Sequence, residues 1–127
     1  SSLSQLEEAL TGIIADKMNG MLNFQGGLSL ANRKLIADFA AEHNIPAIYQ
    51  ATLFAEAGGL MSWAPDLVQQ FREAAHFVNK ILKGAKPGDL PVQHPSKYYL
   101  TVNLTAAKKI GLTFTQELLS EATKIIP

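Results

Sequence analysis

Residues 58 to 92 constrain the fold of this chain more than any other stretch, because a strand and a helix appear there with their boundaries. A glycine pair precedes a short apolar run over residues 60 to 63, which predicts a buried strand. We expect Pro65 in the first turn of a helix over residues 66 to 83, where its missing N–H is not needed. Gly84 is a suitable left-handed terminator. The stretch therefore predicts one strand followed by one long helix.

The predicted helix has one apolar face. Side chains recur at helical spacing at Leu67, Phe71, Ala74, Val78, Ile81 and Leu82. Three prolines after residue 84 keep the next segment extended. A face of this kind requires a surface to pack against.

The first 50 residues alternate helix and strand patterns. A capping-box sequence at residues 4 to 7 opens a helix that we expect to end near Lys17. Residues 21 to 24 form a short strand, although Asn23 is polar within it. Ser29 is the predicted N-cap of the next helix, and residues 45 to 49 form a second strand. This order predicts right-handed crossovers and an α/β fold, with a parallel sheet flanked by helices.

The last third of the chain follows with one strand and two helices. Before the glycine pair, residues 53 to 57 are expected to form one or two helical turns. After the long helix, residues 97 to 103 alternate in polarity, which predicts a half-buried strand. Thr105 is the predicted cap of a short helix ending at Gly111, and Thr115 caps the last helix. We expect that last helix to carry Leu118, Leu119, Ile125 and Ile126.

Composition excludes several functional classes. The 127 residues are 47% hydrophobic and 17% charged, which suits one globular domain or one lobe of a larger protein. With 11 basic and 11 acidic residues, a general electrostatic footprint for nucleic acid is not expected. The chain has no cysteine, no apolar run of the roughly 20 residues that insertion into a membrane requires, and no signal peptide.

Catalytic and metal-binding motifs are absent from the sequence. We find no GxSxG, P-loop or HExxH pattern and no cysteine nucleophile. His43, His76 and His94 are scattered, and no pair has metal-ligand spacing. The chain is therefore predicted to be neither an enzyme nor a metal or cofactor binder.

Several motifs occur in an order that is specific to one family. They read GGLMSW at residues 58–63, KILKGAKPGDLPV at 80–92, PSKYYLTVNL at 95–104 and AAKKIGL at 106–112. This series resembles the ABC-transporter substrate-binding proteins of the type that includes tryptophan and tyrosine binders. The resemblance runs from about Leu6 to Ile126 and covers the carboxyl-terminal part of the family pattern.

The resemblance implies a type-1 periplasmic binding protein, with two flavodoxin- or Rossmann-like α/β lobes and a ligand cleft between them. Residues 1–62 and 96–127 would be parts of the second lobe, and residues 66–90 would form a helix and exit that pack on the first. The implied function is the solute-binding component of an ABC import system, with a permease as partner. The implied location is periplasmic or extracytoplasmic, with the signal peptide in a longer precursor.

An incomplete pair of lobes would leave the apolar face of the helix over residues 66–83 uncovered. Fully burying each of its large side chains is worth about 1.5–3 kcal/mol. We therefore expect this face to self-associate with a second copy or to pack on a rearranged part of the same chain.

Ligand contacts are expected at the carboxyl ends of the parallel strands. Loops there comprise residues 25–27, 50–52 and 62–66. The side chains of Gln25, Gln50 and Thr52 could hydrogen-bond an amide or carboxylate of the ligand. Tyr49 could stack on an aromatic ring, and Glu56 could bind an ammonium group. The predicted ligand-binding residues are Gln25, Gly26, Tyr49, Gln50, Thr52 and Glu56. The competing interpretation is that they are ordinary loop residues.

Two further hypotheses remain at this point. The same fold could serve as a ligand-sensing regulatory domain, or the chain could be a small flavodoxin-like enzyme that binds an anion where residues 25–29 enter a helix. Trp63, the only tryptophan, is interpreted as a core anchor in preference to a cleft or hinge aromatic.

Overall fold

The computed structural model describes residues 3–24 and 26–127 as an α/β fold, which confirms the predicted class. In chain order its elements are α1 (Leu3–Ala15), β1 (Met21–Asn23), α2 (Gly27–Ala31), α3 (Arg33–Glu42), β2 (Ala47–Tyr49), α4 (Thr52–Glu56), β3 (Met61–Pro65), α5 (Leu67–Leu82), a 3₁₀ turn (Pro87–Asp89), β4 (Tyr98–Asn103), α6 (Leu104–Lys109), α7 (Gln116–Glu121) and β5 (Lys124–Ile126). Contacts divide the chain into two compact units. The first extends to Ala64 and resumes at Tyr99, and the second is Pro65–Tyr98.

The five strands form one mixed sheet in the order β1-β2-β3-β4-β5. The β1–β2 and β2–β3 pairs are parallel, as predicted for the crossovers. The β4–β5 pair is parallel as well. The β3–β4 pair is antiparallel, because the Asn103 amide bonds the Leu60 carbonyl at 2.9 Å and the Asp66 amide bonds the Lys97 carbonyl at 3.1 Å. The sheet is therefore mostly parallel rather than wholly parallel.

The core of the first unit lies where α3 and α4 cover one face of β1 and β2. Its buried members are Ile36, Ala40, Ala47, Tyr49, Ala51 and Phe54. Gly59 belongs to the same packing, since a Cβ built on it would lie 2.6 Å from Cε2 of Tyr49 and 2.8 Å from the Phe54 carbonyl oxygen. Only a residue without a side chain fits at this point.

The second unit consists of α5 and the extended segment after it, and it confirms the predicted helix over residues 66–83. Asp66 is the N-cap, and its carboxylate accepts a hydrogen bond from the Gln69 amide at 3.0 Å. Gly84 ends the helix with a positive φ of 100°. The expectation that Pro65 begins this helix is wrong, because Pro65 is the last residue of β3. No α5 side chain is buried.

Several local predictions differ from the structure, and in each case a tertiary or side-chain contact explains the difference. Ser29 is not an N-cap: Gly26 is, and the Ser29 hydroxyl receives the Gly26 amide at 2.9 Å from inside the first turn. Asn103, not Thr105, caps α6, because its carboxamide oxygen accepts from the Ala106 amide at 2.9 Å. The capping-box serine at position 4 lies inside α1.

The carboxyl-terminal residues also differ from expectation. The Thr115 cap is confirmed, with its hydroxyl accepting from the Leu118 amide at 3.3 Å. However, α7 ends at Glu121, and Ile125 and Ile126 lie in β5 instead of the helix. These β-branched side chains favour a strand, and pairing with β4 satisfies their backbone. The sheet therefore gains an edge strand that a helical interpretation of the chain end omits.

Candidate functional site

The candidate site is the edge of the sheet where β1 and β2 end side by side. Their last residues, Asn23 and Tyr49, are register partners in the parallel ladder. The Gln50 amide continues that ladder by bonding the Asn23 carbonyl at 3.3 Å. The loops that leave the two strands are consequently neighbours, and this is the sheet edge at which open α/β folds bind ligands.

The loop after β1 leads directly into α2. Gly26 has an extended backbone, and its amide and carbonyl both bond the Ser29 hydroxyl, at 2.9 and 3.0 Å. Phe24 precedes it with 65% of its surface exposed. The predicted site residue Gln25 lies outside the described residues. An ordered turn and an exposed aromatic ring thus lie on one side of the site.

The loop after β2 contributes the next polar groups. Gln50 is exposed, and Thr52 is half-buried as the first residue of α4. Ala51 between them is buried and caps α4 through its carbonyl, which accepts from the Phe54 amide at 3.1 Å. Burial of Ala51 holds the loop backbone in place, and this restricts the positions of the Gln50 and Thr52 side chains on either side of it.

Tyr49 lies beneath this edge and not on it. Its side chain is fully buried, and its ring stacks on Phe54 with centroids 4.8 Å apart. Burial raises the pKa of its hydroxyl above the ordinary value, so that the group resists ionisation even in alkaline solution. The ring that we expected to stack on a ligand is engaged inside the core.

Glu56 is also separate from the two loops. Its carboxylate forms an ion pair with the ammonium group of Lys124 at 2.6 Å. Lys124 begins β5, the strand at the opposite edge of the sheet from β1. The carboxylate that we expected to receive a ligand ammonium therefore already has a cationic partner within the chain.

Of the predicted set, Gln50 and Thr52 lie in the loop after β2, and Gly26 lies in the loop after the neighbouring strand β1. The structure also changes the interpretation of Trp63. The indole is 48% exposed, so the core-anchor interpretation is wrong. The neighbouring residues on β3 alternate, with Ser62 and Ala64 buried on one face and Trp63 on the other. A strand with period two gives this result, whereas the apolar composition alone favours burial.

Sequence reasoning missed the buried polar side chains in the sheet. The carboxamide oxygen of Asn23 and the hydroxyl of Ser62 have no hydrogen-bond partner among the described residues. The one available signal was a polar residue inside an apolar strand pattern at Asn23.

The described residues contain neither a metal-binding cluster nor a helix that could span a membrane. Within residues 3–24 and 26–127, no cluster of His, Asp and Glu could hold a metal ion. No helix there is both long and apolar enough to cross a bilayer.

Comparisons with solved structures show a similar fold. A conserved domain protein from Vibrio cholerae superimposes with a TM-score of 0.86 at 27% identity, over 96% of this chain and 41% of that one. An ABC domain in complex with L-Trp from Streptococcus pneumonia gives 0.86 at 24% identity, over 98% and 42%. A ligand-free, open substrate binding protein with adhesive properties from Clostridium difficile gives 0.69 at 17% identity, over 99% and 42%.

The chain therefore spans about two fifths of the length of these structures. No curated protein gives a sequence match to it. A family model for ABC transporter substrate binding proteins matches residues 6–126. Because that match covers nearly the whole chain, the protein belongs to the ABC transporter substrate binding protein family.

Proposed function

We propose that the chain forms part of the solute-binding component of an ABC import system. The ligand would be a small organic molecule held at the carboxyl ends of β1 and β2 and enclosed by a second lobe. The observation that carries the proposal is the junction of the two loops at that edge, through the Gln50 amide and the Asn23 carbonyl at 3.3 Å. Family membership and the L-Trp complex of a structural neighbour support it.

An aromatic amino acid suits the groups at this edge. The Gln50 carboxamide and the Thr52 hydroxyl can bond a carboxylate or ammonium group, and the exposed ring of Phe24 can pack against an aromatic side chain. A few placed polar groups beside apolar surface are typical of small-molecule sites. Tyr49 would support the site from below, and Glu56 would act only if a ligand displaced Lys124.

No chemistry is needed for this function. Binding proteins of this kind gain affinity by closing around a solute, which excludes water and adds the contacts of the second surface. A permease would be the partner that receives the solute, and the location would be extracytoplasmic. Membership of the substrate binding protein family supports this role in solute binding.

Calorimetry of the intact protein with L-tryptophan, L-tyrosine and L-alanine tests the ligand class. We expect the aromatic amino acids to bind and Gln50→Ala to weaken them about 2- to 12-fold, the value of one lost hydrogen bond. Gln116→Ala, at the exposed start of α7, is the matched control and should leave affinity unchanged. Equal affinities for Gln50→Ala and the parent protein would contradict the assigned edge.

Binding to the 127-residue chain alone gives a second test. We expect affinity far below that of the intact protein, because the second lobe would supply about half of the contacts. Micromolar binding of tryptophan or tyrosine to this chain by itself would show that no second surface is needed.

We also infer that the apolar face of α5 contacts another protein surface. Phe71 and Leu82 are 77% and 81% exposed, although each gains about 1.5–3 kcal/mol when fully buried. In the 127-residue chain we expect a second copy to cover this face. Light scattering should give a dimer that Phe71→Glu dissociates and Arg72→Glu, one residue away, does not. A stable monomer at high protein concentration would refute self-association.

A further inference from the structure

Four buried polar atoms in the sheet have no hydrogen-bond partner among the described residues: the carboxamide oxygen of Asn23 and the hydroxyls of Tyr49, Ser62 and Thr101. They are not scattered. Asn23 pairs with Tyr49, and Tyr49 pairs with Ser62, in the parallel ladders of β1–β2 and β2–β3. Neighbouring residues on one face can share a single explanation, and it is needed most for the three hydroxyls, which are fully buried.

Thr101 continues the same row. The bonds from Asn103 to Leu60 and from Asp66 to Lys97 set the antiparallel register of β3 and β4, and this register places Thr101 opposite Ser62. Register partners project their side chains on the same face of a sheet. The residues that carry the unpartnered atoms thus form a row across four adjacent strands.

The face that carries this row is the one covered by α4. Phe54 stacks on Tyr49, the Ala55 carbonyl accepts from the Asn103 carboxamide at 3.0 Å, and Glu56 pairs with Lys124. Tyr49, Ser62 and Thr101 are each 0% exposed. Bulk solvent does not reach these hydroxyls.

Leaving such groups unpaired is costly. A buried hydroxyl without a hydrogen bond loses about 1–3 kcal/mol, and native proteins leave few of them. Adjacent strands lie about 4.8 Å apart, and these three hydroxyls do not bond one another. Two of the flanking side chains on this face are small: Ala47 on β2 and Ala64 on β3.

We propose that the row is a buried hydration site, in which ordered water is held between the hydroxyls of Tyr49, Ser62 and Thr101. Each hydroxyl can donate one hydrogen bond and accept others, and a buried water typically makes about three. The Tyr49 hydroxyl keeps its donor at neutral pH, as tyrosine hydroxyls ordinarily do. The water links β2 to β3 and β4 below the loop that carries Gln50 and Thr52.

Unfolding of single and double variants of the intact protein tests this site. If water bridges the hydroxyls, removing one of them destabilises the protein, whereas removing a hydroxyl that is simply unpaired leaves stability unchanged or raises it. With shared water, Ser62→Ala and Thr101→Val each raise the unfolding equilibrium constant about five- to tenfold, because each leaves a partner unsatisfied. The double variant raises it by less than the product of the two, since both act through the same water. The exposed Thr113→Val is the matched control and changes it less than about twofold.

Stabilisation by either variant, or effects that multiply, would overturn the hydration site, because removing an unpaired buried hydroxyl is neutral or favourable. If Thr101→Val does not fold, Thr101→Ser decides. Recovery of the fold with the hydroxyl restored supports the site, and failure of both variants refutes it. A crystal structure supports the site if a water peak lies within hydrogen-bond distance of Ser62 and Thr101, and contradicts it if that space is dry.

Discussion

Replacing Gly59 with alanine is the most direct test of the core packing. The added Cβ would lie 2.6 Å from Cε2 of Tyr49, 2.8 Å from the Phe54 carbonyl oxygen and 3.1 Å from its carbon. Neither the Tyr49 ring nor the Phe54 carbonyl can move away from the added Cβ easily. The Tyr49 ring is stacked on Phe54, and the Phe54 carbonyl accepts the Gly59 amide at 2.8 Å.

Overpacking of this kind destabilises a core by about 1–3 kcal/mol, and we expect the upper half of that range because two contacts are with backbone. With a urea m value of about 1–3 kcal/mol/M, the unfolding midpoint should fall by roughly 1 M. Urea titration followed by far-UV circular dichroism measures the shift directly.

Gly12→Ala is the control for this experiment. Gly12 lies inside α1, and apart from its two chain neighbours and the backbone of its own helix, no atom of the described residues lies within 4 Å of the position that a Cβ would take there. Alanine should therefore stabilise the protein by about 0.5–1 kcal/mol. Unfolding of Gly59→Ala at the same urea concentration as the parent protein would refute the packing argument, and so would equal midpoint shifts in both variants.

Three further predictions follow from individual contacts. Asp66→Ala removes the acceptor of the Gln69 amide, so it should reduce the helical circular dichroism signal and lower the free energy of unfolding by about 1 kcal/mol. Asp66→Asn keeps an acceptor and should leave both unchanged. Lys124→Ala breaks a half-exposed ion pair with Glu56, so the loss in urea unfolding should be below about 1 kcal/mol and should shrink in high salt; a larger, salt-independent loss would contradict this. Because burial raises the pKa of Tyr49 in the folded state, stability is complete below the unfolded pKa of about 10 and declines above it. Tyr49→Phe should flatten that decline in alkaline unfolding curves, and an unchanged decline would show that other groups cause it.

Local signals in the sequence predict the elements well where a side chain acts on its own neighbourhood. The α5 helix, its end at Gly84 and the Thr115 cap are all correct, because each depends on residues within one turn. The family motifs predict the family and the α/β fold. The family match over residues 6–126 and the five-stranded sheet confirm them.

Predictions fail where distant residues decide the outcome. The direction of β4 relative to β3 depends on how the chain returns after residues 65–98, which no local pattern encodes. Ile125 and Ile126 pair with β4 because that strand offers a free edge. The contacts of Tyr49 with Phe54 and of Glu56 with Lys124 also join separate elements, and the ligand roles of these two residues stay predictions.

The antiparallel pairing of β3 and β4 has a practical consequence for engineering. In the register set by the Asn103–Leu60 and Asp66–Lys97 bonds, Ala64 lies opposite Tyr99, and such partners have Cα atoms about 5.5 Å apart. The segment between them occupies the position of a very long hairpin loop. A two-residue Asn-Gly turn could replace it without moving either strand, which would yield a five-stranded scaffold of about three quarters of the present length.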